Sequence, residues 1–261
     1  MVQFLSVAQH AAVTAGALLR EHLGGARVIS YKGAIDLVTE MDHRSERTIV
    51  EIISAAFPDH GILAEEGASR ESSTDHLWII DPLDGTTNYA HGYPNFAVSI
   101  GLEQQGELAV GVVYDPLRDE LFTAERGRGA FLNSRPLRVS KNDSLIRSLL
   151  ATGFPYDRAE SEQNNLNFFN AMIMACQEIR RSGSAALDLC SVAAGRLDGY
   201  WELKLHPWDV AAGSLIVREA GGAVTDLSGI RFGIRDKEIV ASNGIIHAQM
   251  IDLLNKVQYE D

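Results

Sequence analysis

Cysteine is nearly absent: Cys176 and Cys190 are the only two in 261 residues. Both lie in apolar surroundings and form no metal-type spacing, so neither a disulfide framework nor a thiolate metal site is expected, and reduced thiols point to a cytoplasmic protein. Positive charge is also scarce, with 23 Lys and Arg against 35 Asp and Glu and a formal net charge of −12. A direct nucleic-acid footprint needs a basic face and is excluded on that ground. Phosphorylated substrates are not excluded, because a bound cation inverts the local charge of an acidic site. No run is apolar for long enough to span a bilayer, so no membrane association is expected. The N-terminal segment lacks a basic leader, and Gln9, His10 and Thr14 interrupt its apolar run, unlike a signal peptide. Repeats, low-complexity tracts and a Pro-rich linker are missing too, so any two halves should share a broad interface.

What the chain does have is 46% hydrophobic residues, ample for a large core. Phe4, Val7, Ala8, Ala11, Ala15, Leu18 and Leu19 recur at helical spacing and predict an amphipathic first helix. A strand is expected over 28–31, a loop over 32–36, and a second helix opened by a Thr39–Asp42 capping box and ending before Pro58. A short apolar run at 61–64 delivers Glu65 and Glu66, and the polar 67–76 segment reads as a surface loop. Strands at 96–102, 108–114, 120–124 and 129–132 predict an antiparallel meander. From about 146 the pattern alternates. Strands are expected near 148–152, 178–181, 199–203, 223–227 and 238–241, with helices near 163–176, 185–194, 208–220 and 245–257. The organisation expected is an N-terminal α+β layer over 1–145 and a C-terminal α/β layer over 146–261 that closes the site.

The chain is organised around 78–94, WIIDPLDGTTNYAHGYP. A buried strand carries Asp81, ends abruptly at a proline, and is followed by Asp84, which reads as the capping residue of a helix beginning Gly85-Thr86-Thr87. Two carboxylates three residues apart thus stand beside a helix N-terminus, whose free N–H groups favour anions. Hard divalent cations prefer such oxygen ligands. Asp81 is costly to bury behind Trp78-Ile79-Ile80 without a partner. The other acidic positions have two readings each: Asp209 as a helix N-cap or a ligand, Glu65-Glu66 as a solvated strand end or a ligand source, and Asp42 as a helix-start residue or part of a metal shell.

Taken together with Asp36-Leu-Val-Thr-Glu-Met-Asp42, Ile62-Leu-Ala-Glu-Glu66, Gly183-Ser-Ala-Ala186, Trp208-Asp-Val-Ala-Ala-Gly213 and Arg218-Glu-Ala-Gly-Gly222, the Asp81–Asn88 string resembles the inositol monophosphatase family. The resemblance covers most of the chain, in family order and spacing. Residues 178–188, EIRRSGSAALD, look like the bacterial SuhB type. It implies a five-layer αβαβα sandwich, usually as a homodimer, and a Mg2+-dependent phosphomonoesterase acting on inositol monophosphate and related small polyol phosphates. Fructose 1,6-bisphosphate, histidinol phosphate and NADP are alternative substrates of the same chemistry. A 3′-phosphoadenosine nucleotide is disfavoured, because Thr87-Asn88 stands where such relatives commonly have Lys.

The resemblance also assigns roles. Glu65, Asp81 and the Leu83 carbonyl would hold one Mg2+, and Asp81, Asp84 and Asp209 a second. Glu65 and Thr86 would orient the attacking water, with Asp42 supporting a third, weaker metal. Phosphate would lie against Gly85 and Thr86, and the alcohol would meet Arg180, Gly183, Ser184, Ala185 and Glu202. Without the resemblance, Glu202 reads equally as a strand-end residue. Residues 32–42 would form a mobile active-site loop, Li+ would inhibit by competing at a metal site, and no covalent nucleophile is needed. SuhB-type relatives resemble proteins that also join the transcription and RNA-processing machinery, which implies a possible protein partner.

Overall fold

The computed structural model describes residues 3–24, 29–31 and 37–258. The expected loop at 32–36 lies outside the described residues, and the rest of the expected mobile segment, 37–42, forms a strand and the first turn of a helix. In chain order the first half runs α1 (Phe4–His22), β1 (Ile29–Tyr31), β2 (Leu37–Thr39), α2 (Glu40–Ala56), β3 (Gly61–Ala64), β4 (Ser69–Arg70), β5 (His76–Asp84), α3 (Thr86–His91), β6 (Ala97–Gln104), β7 (Glu107–Asp115), β8 (Glu120–Glu125), β9 (Gly129–Leu132) and β10 (Arg135–Pro136). A 3₁₀ turn at Leu145–Arg147 leads to β11 (Leu149–Thr152), α4 (Leu166–Ala175), β12 (Glu178–Arg180), α5 (Ala185–Ala193), β13 (Gly199–Leu203), α6 (Pro207–Glu219), β14 (Ala223–Thr225), β15 (Glu238–Ser242) and α7 (His247–Gln258). No described helix is long and apolar enough to cross a membrane.

Strands β3 to β10 form an eight-stranded sheet in the order β10-β9-β8-β7-β6-β5-β3-β4, antiparallel except where β3 runs parallel to β5. The meander follows from connections too short to cross over. The second sheet, β12-β11-β13-β15-β14, is mixed. β11 pairs in parallel with β12 and β13, whereas β15 is antiparallel to β13 and β14. No helix separates β14 from β15, so that connection returns as an antiparallel neighbour.

Side-chain alternation along the strands builds three cores and five layers. On the outer face of the large sheet, Trp78, Ile80, Val98 and Val112 pack against Ala8, Ala11, Ala15 and Leu19 of α1 and Ile49 and Ile53 of α2. On its inner face, Ile79, Ala97, Val113 and Phe122 meet α5 and α6, which also cover Ala151, Tyr200 and Ala241 of the second sheet. The far face of that sheet offers Leu150, Trp201 and Val240 to Met172 of α4 and to Met250 and Leu254 of α7. The layering is therefore αβαβα. The middle helices come from the second half of the chain but pack on the sheet of the first.

Helix α6 lies unusually close to the large sheet. Gly101 and Gly111 are direct partners on β6 and β7. A Cβ on Gly101 would sit 2.9 Å from Ala211 Cβ, and one on Gly111 would sit 2.7 Å from the Ala212 carbonyl oxygen. Two glycines side by side thus open the groove in which the Ala211-Ala212 face of α6 beds.

Candidate active site

The site is built where β5 breaks its register. Asp81 is opposite Ser99 of β6, but Asp84 is opposite Ala97, so three residues of β5 span what two span on its partner. The extra residue is a bulge at Pro82-Leu83, where a proline costs no ladder hydrogen bond. In an unbroken strand residues i and i+3 face opposite ways; the bulge resets that parity, so Asp81 and Asp84 both face the α5/α6 side. The strand therefore does not end at the proline, and Asp84 is not a helix cap. It is the last residue of β5, and the α3 cap is Gly85, at φ 96°.

Helix α2 props this turn from behind. Ser45 Oγ donates to the Pro82 carbonyl at 2.7 Å. The capping box at Thr39 is present, with Thr39 N–H donating to Asp42 Oδ2 at 2.8 Å. The other carboxylate oxygen of Asp42 receives the Thr86 hydroxyl at 2.9 Å. Asp42 is fully buried and reaches the cleft only through Thr86. One turn further along, the Glu46 carboxylate accepts the Glu66 and Ala68 N–H groups at 2.9 and 3.2 Å, fixing the turn that carries Glu65 off the end of β3.

The opposite wall comes from the middle helices and β13. Ser184 caps α5, and its hydroxyl donates to Asp84 Oδ2 at 2.6 Å, while Ala186 N–H donates to the same oxygen at 2.7 Å. On α6 the N-cap is His206 rather than Asp209. Asp209 is the third helical residue, and its Oδ2 accepts the His206 N–H at 2.7 Å. Asn88 ties the walls together by donating to the Asn95 and Ser182 carbonyls at 2.7 and 2.9 Å.

These elements enclose a cleft of about 790 Å³ lined by Glu65, Asp81, Leu83, Asp84, Gly85, Thr86, Gly183, Ser184, Ala185, Glu202 and Asp209 among others. Arg180 is not in it. Its side chain is 55% exposed on the edge strand β12, beside Glu178, and the neighbouring Arg181 lines the cleft instead. Successive strand residues face opposite ways, so the Arg180-Arg181 pair could not be resolved from spacing alone. Asp188, Lys204 and Asp157 also line the cleft without having been expected there. Asp188 falls inside the expected helix at 185–194, where the only other polar residue is Ser191, and it closes the 178–188 string.

The cleft floor is a set of carboxylates short of positive charge. Burial pushes Asp81 well above the usual carboxylate range, and Glu65, Asp84 and Asp209 push it further. Burial raises Asp84 to about 6 against the opposing hydrogen bonds from Ser184 and Ala186. Asp209 is raised by burial and by Asp84 and Glu65, and burial raises Glu202 to about 7. Among the described residues no three His, Cys, Asp or Glu side chains are already gathered around one point as a cation site. The Asp81, Asp84 and Asp209 oxygens are instead turned onto the protein donors Leu83 N–H, Ser184, Ala186 and His206.

Comparison with known proteins places this geometry. The model of the inositol monophosphatase family matches residues 1–259. An inositol-1-monophosphatase of Synechocystis sp. is 49% identical over 253 residues, covering 96% of this chain and 88% of that protein. The Nus factor SuhB of Pseudomonas aeruginosa is 48% identical over 250 residues, covering 93% of this chain and 92% of its own. The solved inositol monophosphatase of Anabaena (Nostoc) sp. superposes with a TM-score of 0.89 at 48% identity, covering 97% of this chain and 95% of that one.

Proposed function

The chain belongs to the inositol monophosphatase family, and from that premise we propose that it is a Mg2+-dependent phosphomonoesterase that hydrolyses inositol monophosphate and related small polyol phosphates. The observation that carries the reading is the acidic floor: Asp81 buried beside Glu65, Asp84 and Asp209, each raising its pKa. Such a set is costly to keep ionised unless cations share it, and its donors are the hard oxygens a divalent ion prefers. Glu65, Asp81 and the Leu83 carbonyl would hold one Mg2+, and Asp81, Asp84 and Asp209 a second. Bound there, the ions supply neutralisation of phosphoryl charge and a water of lowered pKa.

The protein's own groups then have distinct tasks. Asp81 and Asp84 face the same side because of the bulge, so one strand end presents both carboxylates to the cations. Glu65, held by the Glu46-braced turn, and the Thr86 hydroxyl, held by Asp42, orient the attacking water. Gly85 carries no side chain because its φ is 96° and a Cβ there would lie 3.0 Å from the Asn95 carbonyl and 3.2 Å from the Gly183 carbonyl, and its N–H would meet the phosphate. Glu202 and the 183–185 turn contact the leaving alcohol, and Arg181 replaces Arg180 as the basic residue on that wall. Fructose 1,6-bisphosphate, histidinol phosphate and NADP use the same chemistry and are resolved by a panel ranked on kcat/KM. Phosphate release from inositol 1-phosphate with Mg2+ tests the reading; activity unchanged in Asp84→Asn would sink it.

A second reading draws on the relative named a Nus factor. In it the protein also serves a protein partner, compatibly with catalysis. If that role dominates, Asp84→Asn restores growth to a strain lacking the gene; if it does not, only active protein does. For a homodimer, α4 offers an apolar surface in Leu166 and Met174, 47% and 82% exposed. Sedimentation of the wild type against Met174→Lys tests it.

A further inference from the structure

Asp188 is a second carboxylate on the alcohol side of the cleft, and nothing in the reaction outlined above uses it. It lies one turn into α5, four residues after the Ser184 cap, and is 5% exposed at the cleft wall. Ser182 Oγ donates to its Oδ1 at 2.6 Å, and no donor among the described residues reaches its Oδ2. Glu202, on β13, repeats the arrangement. Tyr200 O–H donates to its Oε2 at 2.5 Å, and its Oε1 has no donor among the described residues. Gly153 leaves the space Glu202 occupies, because a Cβ there would lie 2.0 Å from Oε1. Each carboxylate therefore has one oxygen oriented by a neutral hydroxyl and one open acceptor.

The surroundings distinguish what would fill those acceptors. Burial pushes Asp188 well above the usual carboxylate range and Glu202 up to about 7, and Arg181 opposes that shift, favouring their charged forms and lessening any demand for a cationic substrate group. A carboxylate oxygen accepts an alcohol O–H readily, and a polyol offers several such donors on adjacent carbons. Ser182, which aims Asp188, is itself held through its carbonyl by Asn88 Nδ2 at 2.9 Å. Asp188 is thus a buried, aimed acceptor whose partner comes from outside the protein.

We propose that Asp188 is a specificity-determining residue that, together with Glu202, reads neighbouring hydroxyls on the alcohol portion of the substrate. The inference rests on the reading of the cleft as a site for polyol phosphate esters. A buried polar group left without its hydrogen bond costs roughly 1–3 kcal/mol, which corresponds to about 5- to 150-fold.

The test compares inositol 1-phosphate with p-nitrophenyl phosphate, which has no hydroxyls to read, in wild type, Asp188→Ala and Asp188→Asn with Mg2+. Asp188→Ala is expected to lower kcat/KM for inositol 1-phosphate at least ~5-fold, mainly through KM, while both constants for p-nitrophenyl phosphate stay within about twofold. Asp188→Asn, which keeps one acceptor oxygen, should recover part of the loss. Retained turnover of p-nitrophenyl phosphate shows that the variants fold. Equal losses on both substrates, or no loss on either, overturn the role of Asp188 while leaving the polyol reading intact if wild type still prefers inositol 1-phosphate. A wild type that hydrolyses p-nitrophenyl phosphate but no polyol ester overturns that reading and the inference with it.

Discussion

Thr86 Oγ1 lies 2.9 Å from Asp42 Oδ1 and 3.0 Å from the Leu83 carbonyl oxygen, with a single proton for two acceptors. If the Leu83 carbonyl turns to a cation, Asp42 becomes the acceptor and the hydroxyl lone pairs are left for water. Thr86→Val removes that hydroxyl at constant size. We expect kcat to fall roughly 10²–10⁴-fold with KM little changed, as for a lost proton-handling group, and Thr86→Ser to retain most activity. Steady-state kinetics on inositol 1-phosphate distinguish the outcomes; a Thr86→Val enzyme with wild-type kcat would remove Thr86 from the chemistry.

Glu46 braces the turn that bears Glu65 by accepting from both Glu66 and Ala68 N–H groups. Glu46→Ala leaves two backbone donors without their carboxylate, at a cost of about 1–3 kcal/mol. Thermal unfolding should drop accordingly, and kcat should fall because the turn is no longer held. Glu46→Gln keeps one acceptor and is expected to lie between. A kcat unchanged in Glu46→Ala would show that the turn holds its shape without this brace.

Strand and helix order was legible because apolar periodicity reports burial, and Trp78, Ile79 and Ile80 fall on alternate faces as a buried strand requires. The chain signals were weaker where geometry departs from period. Pro82 suggested a strand end, whereas the structure uses it inside a bulge that carries β5 on to Asp84. Asp84 looked like a helix cap for the same reason. Arg180 and Arg181 are adjacent, and only the pairing of β12 decides which one faces the cleft. Asp188 and Glu46 were hidden because a carboxylate on a helix reads as solvated until the partner that buries it is known. The close seating of α6 could not be read from Gly101 and Gly111, since their helix partner lies about a hundred residues away in the chain.

The site carboxylates should make metal-free protein more stable in mild acid than in mild alkali. Glu202 is raised by burial to about 7 and Asp84 to about 6, against ordinary values of 4.5 and 3.8. A carboxyl whose folded pKa is raised binds its proton more tightly when folded, so its contribution is full below the unfolded value and is lost as pH rises through the folded one. Asp84 accounts for the window from about 3.8 to 6 and Glu202 for that from about 4.5 to 7. In EDTA, Tm should therefore fall between pH 5 and pH 8. Mg2+ binds the ionised forms, so it should raise Tm more at pH 8 than at pH 5. A metal-free Tm that rises across this range would contradict the burial of these groups.

Packing against the large sheet sets where a site carboxylate stands. Asp209 stands on the first turn of α6, and that helix can sit where it does because Gly101 and Gly111 leave room. Gly111→Ala places a methyl group 2.7 Å from the Ala212 carbonyl oxygen, a rigid backbone atom that cannot turn aside. Either the helix lifts or the sheet bends, and overpacking of this kind costs roughly 1–3 kcal/mol. That should lower Tm by several degrees for a chain of this length. Because α6 moves with Asp209, kcat with Mg2+ should fall as well, and the Mg2+ dependence should shift to higher concentration. Gly101→Ala meets Ala211 Cβ at 2.9 Å, a side-chain atom rather than backbone, and is expected to be milder. Asp209→Ala separates the two effects. It removes the carboxylate without lifting the helix, so activity should collapse while one Mg2+ still binds by calorimetry. If Gly111→Ala destabilises the fold but leaves kcat and Mg2+ dependence untouched, the seating of α6 does not control where Asp209 stands.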